Sequence, residues 1–227
     1  MRRQLLASCL LLAAALPASA DTVLQKARAM SKDGPLYTFD MDVRDGADQF
    51  RMTVDPSQPK GQRVTDMTPA LASLKGDAAK KAERLQARTE GDIWCSGFTE
   101  NIPADAKRTS ETAKTATFSF TPLPGKDDGQ MGDAFKHLKG TAIIDKATGG
   151  ILSYEMSSPK AFKPAAVAKV DRFSLKATCK AAPDGRTHVE TFALDLKGSA
   201  LMKPFEQSET RRVSNLTAIA QSGFGTP

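Results

Sequence analysis

The chain has few side chains suited to chemistry, and none stands in a catalytic arrangement. Its two histidines, His137 and His188, lie far apart in sequence and neither adjoins a cysteine. G-x-S-x-G, H-E-x-x-H, C-x-x-C, Walker and G-x-G-x-x-G patterns are all missing. His188 shares the parity of Phe192 and Leu194 on an alternating segment, where a lone histidine reads as a structural or edge residue. Asp40 and Asp42 fall on the wet side of one alternating segment; two carboxylates there suit acid–base work, or simply solvate a sheet face. Asp127, Asp128 and Asp133 crowd a Gly-containing loop, which hints at calcium, but the spacing is not that of an EF-hand and turns use Asp for other reasons. No metal, cofactor or enzymatic activity is expected. Arg172, Lys176 and Lys180 on one polar face, with Arg211 and Arg212 further on, would suit anionic head groups or a solvated surface.

The elements that must position these residues begin after an address. Met1–Gln4 is basic, Leu5–Leu16 is apolar and too short to span a bilayer, and Pro17–Ala20 supplies small residues for a cut before Asp21. This is the layout of a secretory signal peptide, so a periplasmic location is expected. No other apolar run is long enough to cross a membrane. Of 227 residues, 207 remain after the cut, with 30 basic and 26 acidic side chains. A net charge of +4 without aromatic–basic interleaving argues against nucleic acid. Two of the three cysteines remain, Cys95 and Cys179. Under oxidising conditions one disulfide is the default reading, with two buried free thiols as the alternative.

Asp21–Lys32 carries Val23, Leu24, Ala27 and Met30 at helical spacing. The period then becomes two. Tyr37, Phe39, Met41 and Val43 alternate with polar residues, Asp45–Gly46 turns the chain, and Phe50, Met52 and Val54 alternate in return. Pro69–Glu90 is a charged helical stretch with a thin apolar stripe, split near Gly76 with Asp77 as a cap. From Thr109 onward the chain reads as hairpins: Ala116, Phe118 and Phe120; Leu138–Asp145 with Ile151–Met156; Phe173, Leu175, Ala177 and Cys179; Phe192, Leu194 and Leu196, broken at Gly198–Ser199; then a polar last strand, Glu206–Ile219. Eight to ten strands, each with one apolar face, fit a mainly β (α+β) fold. It consists of a single large curved antiparallel sheet, or incomplete β-barrel, with helices covering the apolar concave face. A single domain over 21–227 is expected.

The apolar face holds the candidate binding residues Tyr37, Phe39, Met41, Phe50, Met52, Phe118, Phe120, Phe173, Leu175 and Phe192. Phe and Met at this density suit a plain core or an adaptable wall for acyl chains.

The segment Leu138-Lys139-Gly140-Thr141-Ala142-Ile143-Ile144-Asp145, followed by Thr148-Gly149-Gly150-Ile151, Met156 and Pro159, resembles the LolA/LolB family of periplasmic lipoprotein carriers, as does the order of elements. The resemblance implies an open, strongly curved barrel with an apolar cavity closed by helices. It further implies binding of lipid or lipoprotein acyl chains without catalysis, in contact with other envelope proteins. The chain departs from the carriers in its Cys95/Cys179 pair and its charged lid, and no position matches the carriers' functional arginine.

Overall fold

The computed structural model describes residues 21–125 and 132–220. The leader 1–20, Asp127, Asp128 and the tail from Gln221 lie outside the described residues. Eleven strands are present: β1 (Tyr37–Asp45), β2 (Asp48–Val54), β3 (Val64–Thr68), β4 (Lys107–Glu111), β5 (Thr115–Phe120), β6 (Lys139–Asp145), β7 (Ile151–Ser157), β8 (Phe162–Ala165), β9 (Ala168–Ala181), β10 (Thr187–Ala200) and β11 (Lys203–Ala218). The helices are α1 (Thr22–Ala29), α2 (Gly76–Arg88) and the single turn α3 (Gly132–Phe135), with 3-10 turns at Leu71–Ser73 and Cys95–Asn101.

The strands form one open antiparallel sheet in the order β3-β2-β1-β11-β10-β9-β7-β6-β5-β4, with β8 added beside β9. Most neighbours are consecutive strands, as local alternation predicts. Two pairs are not: β7 pairs with β9, with β8 set beside β9, and β1 pairs with β11, joining the first strand to the last and placing Tyr37 opposite Ala218 and Met41 opposite Val213. The polar last strand is therefore a central strand.

Eleven strands are one more than the upper end of the eight to ten expected, and two of them were not read from the sequence. β4 (KRTSE) is exposed throughout and has no apolar periodicity to reveal it. β8 is four residues inside a proline-containing connection. The helical stretch does divide, but not at an Asp77 cap. Lys75 takes the N-cap position of α2 without a side-chain bond, and Asp77 lies in the first turn, where the helix dipole favours a carboxylate. Gly198 does not break β10. The strand continues to Ala200 because glycine lets it cross the β9 backbone closely: a Cβ there would sit 2.2 Å from the Lys169 carbonyl oxygen. The parity assigned to His188 is also corrected. A bulge between Val189 and Thr191 shifts the alternation, so Val189, opposite Cys179, joins the face of Phe192, and His188 does not.

The apolar face is packed as two cores rather than one. The first gathers α1 (Val23, Leu24, Ala27) with Cys95, Ile102 and the inward residues of β5, β6, β7 and β9, Phe118 and Tyr154 among them. The second gathers Phe39, Met41, Val43, Phe50, Met52 and Val54 from the first hairpin with Val64, Ala82, Ile93 and Val213. The thin stripe of α2 behaves as its sequence suggests: only Ala82 is buried, while Leu71, Leu74 and Leu85 are partly buried over the second core.

The hairpin that carries the family resemblance seats α1. Asp145 accepts bonds from the amides of Ala147 and Thr148 and from the Thr148 hydroxyl, fixing the β6–β7 turn. Gly149, at φ +82°, lies against the backbone of Lys26 and Ala27, where any Cβ would come within 2.7 Å of Lys26 carbon. Gly140 lies beneath the Phe120 ring. At its start, α1 is capped by Asp21, which accepts from the Val23 amide at 2.9 Å and from Arg108 at 2.7 Å. Partial burial works against the Asp21 carboxylate, but the bonds from Arg108 and the Val23 amide outweigh it and hold its pKa below the usual value.

Candidate ligand chamber

Between the two cores the sheet is not filled. The inward side chains of the central strand β11 are Gln207, Glu209, Arg211 and Val213, so polar groups interrupt the apolar face there. Beside them on β10, Phe192, Leu194 and Leu196 are only partly buried. A chamber of about 490 Å³ lies over this seam. Its sheet wall is Phe39, Met41, Val189, Phe192, Leu194 and Val213. Its roof is the segment from Arg88 to Phe98, including Ile93 and Trp94. Gln207, Glu209 and Arg211 form its polar end. Arg88, Thr89, Gln207, Glu209 and Arg211 also border a second hollow of about 590 Å³ beneath α2, so the chamber continues toward solvent at that end.

The roof is tied down along its length. Thr89 closes α2 with its hydroxyl donating to the Leu85 carbonyl at 2.7 Å. Arg63 donates to the Glu90 carbonyl at 2.6 Å, and Lys60 pairs with the Glu90 carboxylate at 2.6 Å. The Val189 amide donates to the Ile93 carbonyl at 2.8 Å, and Trp94 forms a bridge with His188. Cys95 and Cys179 are joined by a disulfide that fixes the 3-10 turn to β9. Phe98 stacks on Tyr154 with ring centres 4.6 Å apart. Trp94 is clamped from the other side: the Arg186 guanidinium lies 3.5 Å from its ring centre and donates to the carbonyls of Lys32 and Pro35. Arg186 is itself buried and paired with Asp184 at 2.6 Å. A buried guanidinium that meets a carboxylate, two carbonyls and an aromatic face has its donors matched.

At the polar end, Arg211 donates through Nε to Glu209, and its guanidinium stands 5.8 Å from the Phe192 ring centre. The Glu209 side chain is 11% exposed and that of Arg211 42%. The side chains of Arg84 and Arg88, which border the second hollow, have no hydrogen bond or ion pair among the described residues. The arrangement is apolar along its sheet wall and carries carboxylates and guanidinium groups at its polar edge. It can shield an apolar chain and meet a polar group at one end.

The candidate residues divide among these regions. Phe39, Met41 and Phe192 are brought together on the chamber wall. Phe50 and Met52 are buried in the second core, and Phe118 and Phe120 in the first, with Phe173 and Leu175 packed at its margin. Tyr37 is buried and meets Trp94 edge-on at 6.0 Å. Glu209, Val189, Ile93, Trp94 and Phe98 were not among the candidates, and Arg211 was read only as a surface cation for head groups or solvent. The alternation of β11 puts Glu209, Arg211 and Val213 on one face, but nothing local shows that this face points inward.

Five of the other charged groups singled out in the sequence are engaged, while the side chains of Lys180 and Arg212 have no bond or ion pair among the described residues. Asp42 pairs with Arg51 at 2.8 Å, and Asp40 accepts from Thr53 and Asn215. Arg172 pairs with Asp195 at 2.9 Å and Lys176 with Glu155 at 3.9 Å, as expected of a solvated sheet face. Asp133 pairs with Lys136 at 3.2 Å.

Fold and site together define an open antiparallel sheet with a half-open hollow, apolar on its sheet wall and polar at its edge. The chain is similar in fold to the crystal structure of a LolA superfamily protein from Nitrosomonas europaea, at 12% sequence identity and a TM-score of 0.40, over 89% of this chain and 94% of that one. No family model and no curated protein matches the sequence.

Proposed function

We propose that the chain is an exported, non-enzymatic protein that holds an apolar chain, such as a lipid or acyl group, in the chamber between its two cores. The observation that carries this reading is the 490 Å³ space over Phe192, apolar on its wall and polar at one end. That volume lies in the range of ~300–1,000 Å³ common to small-ligand sites. A methylene group occupies roughly the ~30 Å³ of a water molecule in the liquid, so the chamber has room for one long alkyl chain. Its tail would lie along Phe39, Met41 and Val213, and its polar group would rest near Glu209 and Arg211. The leader-like residues 1–20 and the Cys95–Cys179 bond support export. The resemblance to lipoprotein carriers supports a role in handling acylated molecules of the envelope.

Native mass spectrometry of protein purified from its host, with displacement of the neutral dye N-phenyl-1-naphthylamine by long-chain fatty acids and alcohols, tests the reading. Co-purified lipid or displacement by alkyl chains is expected. A lipid-free protein from which no amphiphile displaces dye would overturn it.

A second reading is a structural or protein-interaction module of the envelope. Its support is that seven of the ten candidate face residues are buried and so already serve as ordinary core. It predicts dye-free protein and a partner captured through the surface.

A further inference from the structure

The ends of four strands converge at one end of the sheet's middle strands. Ala165 ends β8 and Ala168 starts β9; Ala200 ends β10 and Lys203 starts β11. Ala200 faces both Ala168 and Lys203, and the Leu201 amide donates to the Val167 carbonyl at 2.8 Å, binding the two turns into one tip. Val167 is 59% exposed, Leu201 69% and Met202 97%, the highest values among the exposed large apolar residues described.

The turn does not require these residues. Leu201 and Met202 occupy its two central positions at φ 49° and 62°. A two-residue hairpin loop with both φ values positive strongly prefers Asn-Gly or Asp-Gly. Leucine and methionine there are unfavourable for the backbone, and at 69% and 97% exposure they bury little. Their side chains therefore serve something outside the fold.

The surroundings indicate what that is. From Lys163 to Val170 and from Gly198 to Phe205 there is no acidic residue. Lys163 and Lys203 stand beside the tip without a carboxylate partner among the described residues, and Lys169 and Lys197 are paired with Asp171 at 2.6 Å and Glu206 at 3.4 Å. A narrow apolar projection backed by lysines is too small for a stable protein interface, which buries about 800 Å² per partner. It does match a membrane surface, where a few apolar side chains enter below the head groups and lysines remain at their level.

We infer that the Val167/Leu201/Met202 tip docks the protein on an anionic lipid surface. Gln207 and Glu209 lie closer to the tip along β11 than Val213 does, so docking turns the polar end of the chamber toward the membrane. The surface is independent of what the chamber holds.

The test is co-sedimentation of the chain starting at Asp21 with vesicles of phosphatidylethanolamine and phosphatidylglycerol, and with vesicles of phosphatidylcholine alone. Binding to the anionic vesicles that weakens with added salt is expected. The double substitution Leu201→Asn, Met202→Gly supplies the residues that the turn prefers, so it folds at least as well as the parent. It is expected to weaken vesicle binding by about tenfold or more, since each buried side chain of this size is worth roughly that factor. Lys163→Gln with Lys203→Gln should lessen the preference for anionic lipid. In Met202→Trp, the added indole should shift to shorter emission wavelength on vesicle addition and be quenched by brominated acyl chains. No binding to either vesicle, binding untouched by the turn substitutions, or a tip that is protected only by a soluble protein partner would each overturn the inference.

Discussion

Arg211 donates to Glu209 from two residues along β11, on the inward face of a central strand where every other position of a plain core would be apolar. Glu209 is the more buried partner, and Arg211 reaches over Phe192. The pair marks where the sheet stops being core and becomes chamber.

Arg211→Gln leaves a largely buried carboxylate without its cation. The loss expected is about 1–3 kcal/mol, toward the lower end because the guanidinium is half in water. Glu209→Gln combined with Arg211→Gln should recover much of that loss. Urea denaturation of the two single variants and the double variant checks this; additive losses would mean that the two side chains do not act as a pair.

Phe39 and Phe192 both face the chamber but differ in packing. Phe39 is 2% exposed, so Phe39→Ala should cost about 3–5 kcal/mol as ordinary core damage. Phe192 is only partly buried, and Phe192→Ala should cost clearly less while weakening displacement of the neutral dye by alkyl chains. Equal costs in thermal or urea unfolding would show that the seam is as tightly filled as the cores.

The Cys95–Cys179 bond closes a loop with a sequence separation of 84 and ties the roof to β9. Its removal by Cys95→Ser with Cys179→Ser should lower stability by ~4 kcal/mol in the chain-entropy model. Thiol labelling of the chain starting at Asp21 should find no reactive group before reduction and two after it.

Bonds from the Thr148 amide and hydroxyl and the Ala147 amide hold the Asp145 carboxyl below its usual pKa of 3.8 against modest burial. A carboxylate with a depressed folded value stabilises the fold above its unfolded pKa, and that contribution is lost as pH falls through the folded value. Stability should therefore decline below about pH 4, and the decline should be shallower in Asp145→Asn. Urea midpoints measured between about pH 5 and pH 2 give the comparison; parallel curves would remove Asp145 from the acid response.

Gly198→Ala would force a Cβ to 2.2 Å from the Lys169 carbonyl oxygen, which is backbone and cannot swing aside. A loss of about 1–3 kcal/mol is expected, as for other forced overpacking. Thermal unfolding reads it, and an unchanged midpoint would mean that β9 and β10 separate there at little cost.

The sequence by itself determined the local pieces. The alternation of Tyr37, Phe39, Met41 and Val43 placed β1 and its buried side, because a strand's side chains change face at every residue. The same rule gave β2, β5 and the β6–β7 hairpin, while the sparse stripe of α2 marked a helix that lies on the surface. Strands without that contrast were not legible: β4 has no apolar residue, and the bulge near Glu190 shifted a parity that simple counting had carried across it. Only the tertiary structure decided where the chamber is. It forms because β11 pairs with β1 as well as β10, bringing Glu209 and Arg211 to the middle of the sheet beneath Trp94 and Phe98. A polar-rich strand reads the same at an edge or at the centre. The pairing that chooses between them joins residues more than 160 positions apart, from Asp45 with Glu209 to Tyr37 with Ala218, and its free energy comes from side chains that local sequence does not bring together.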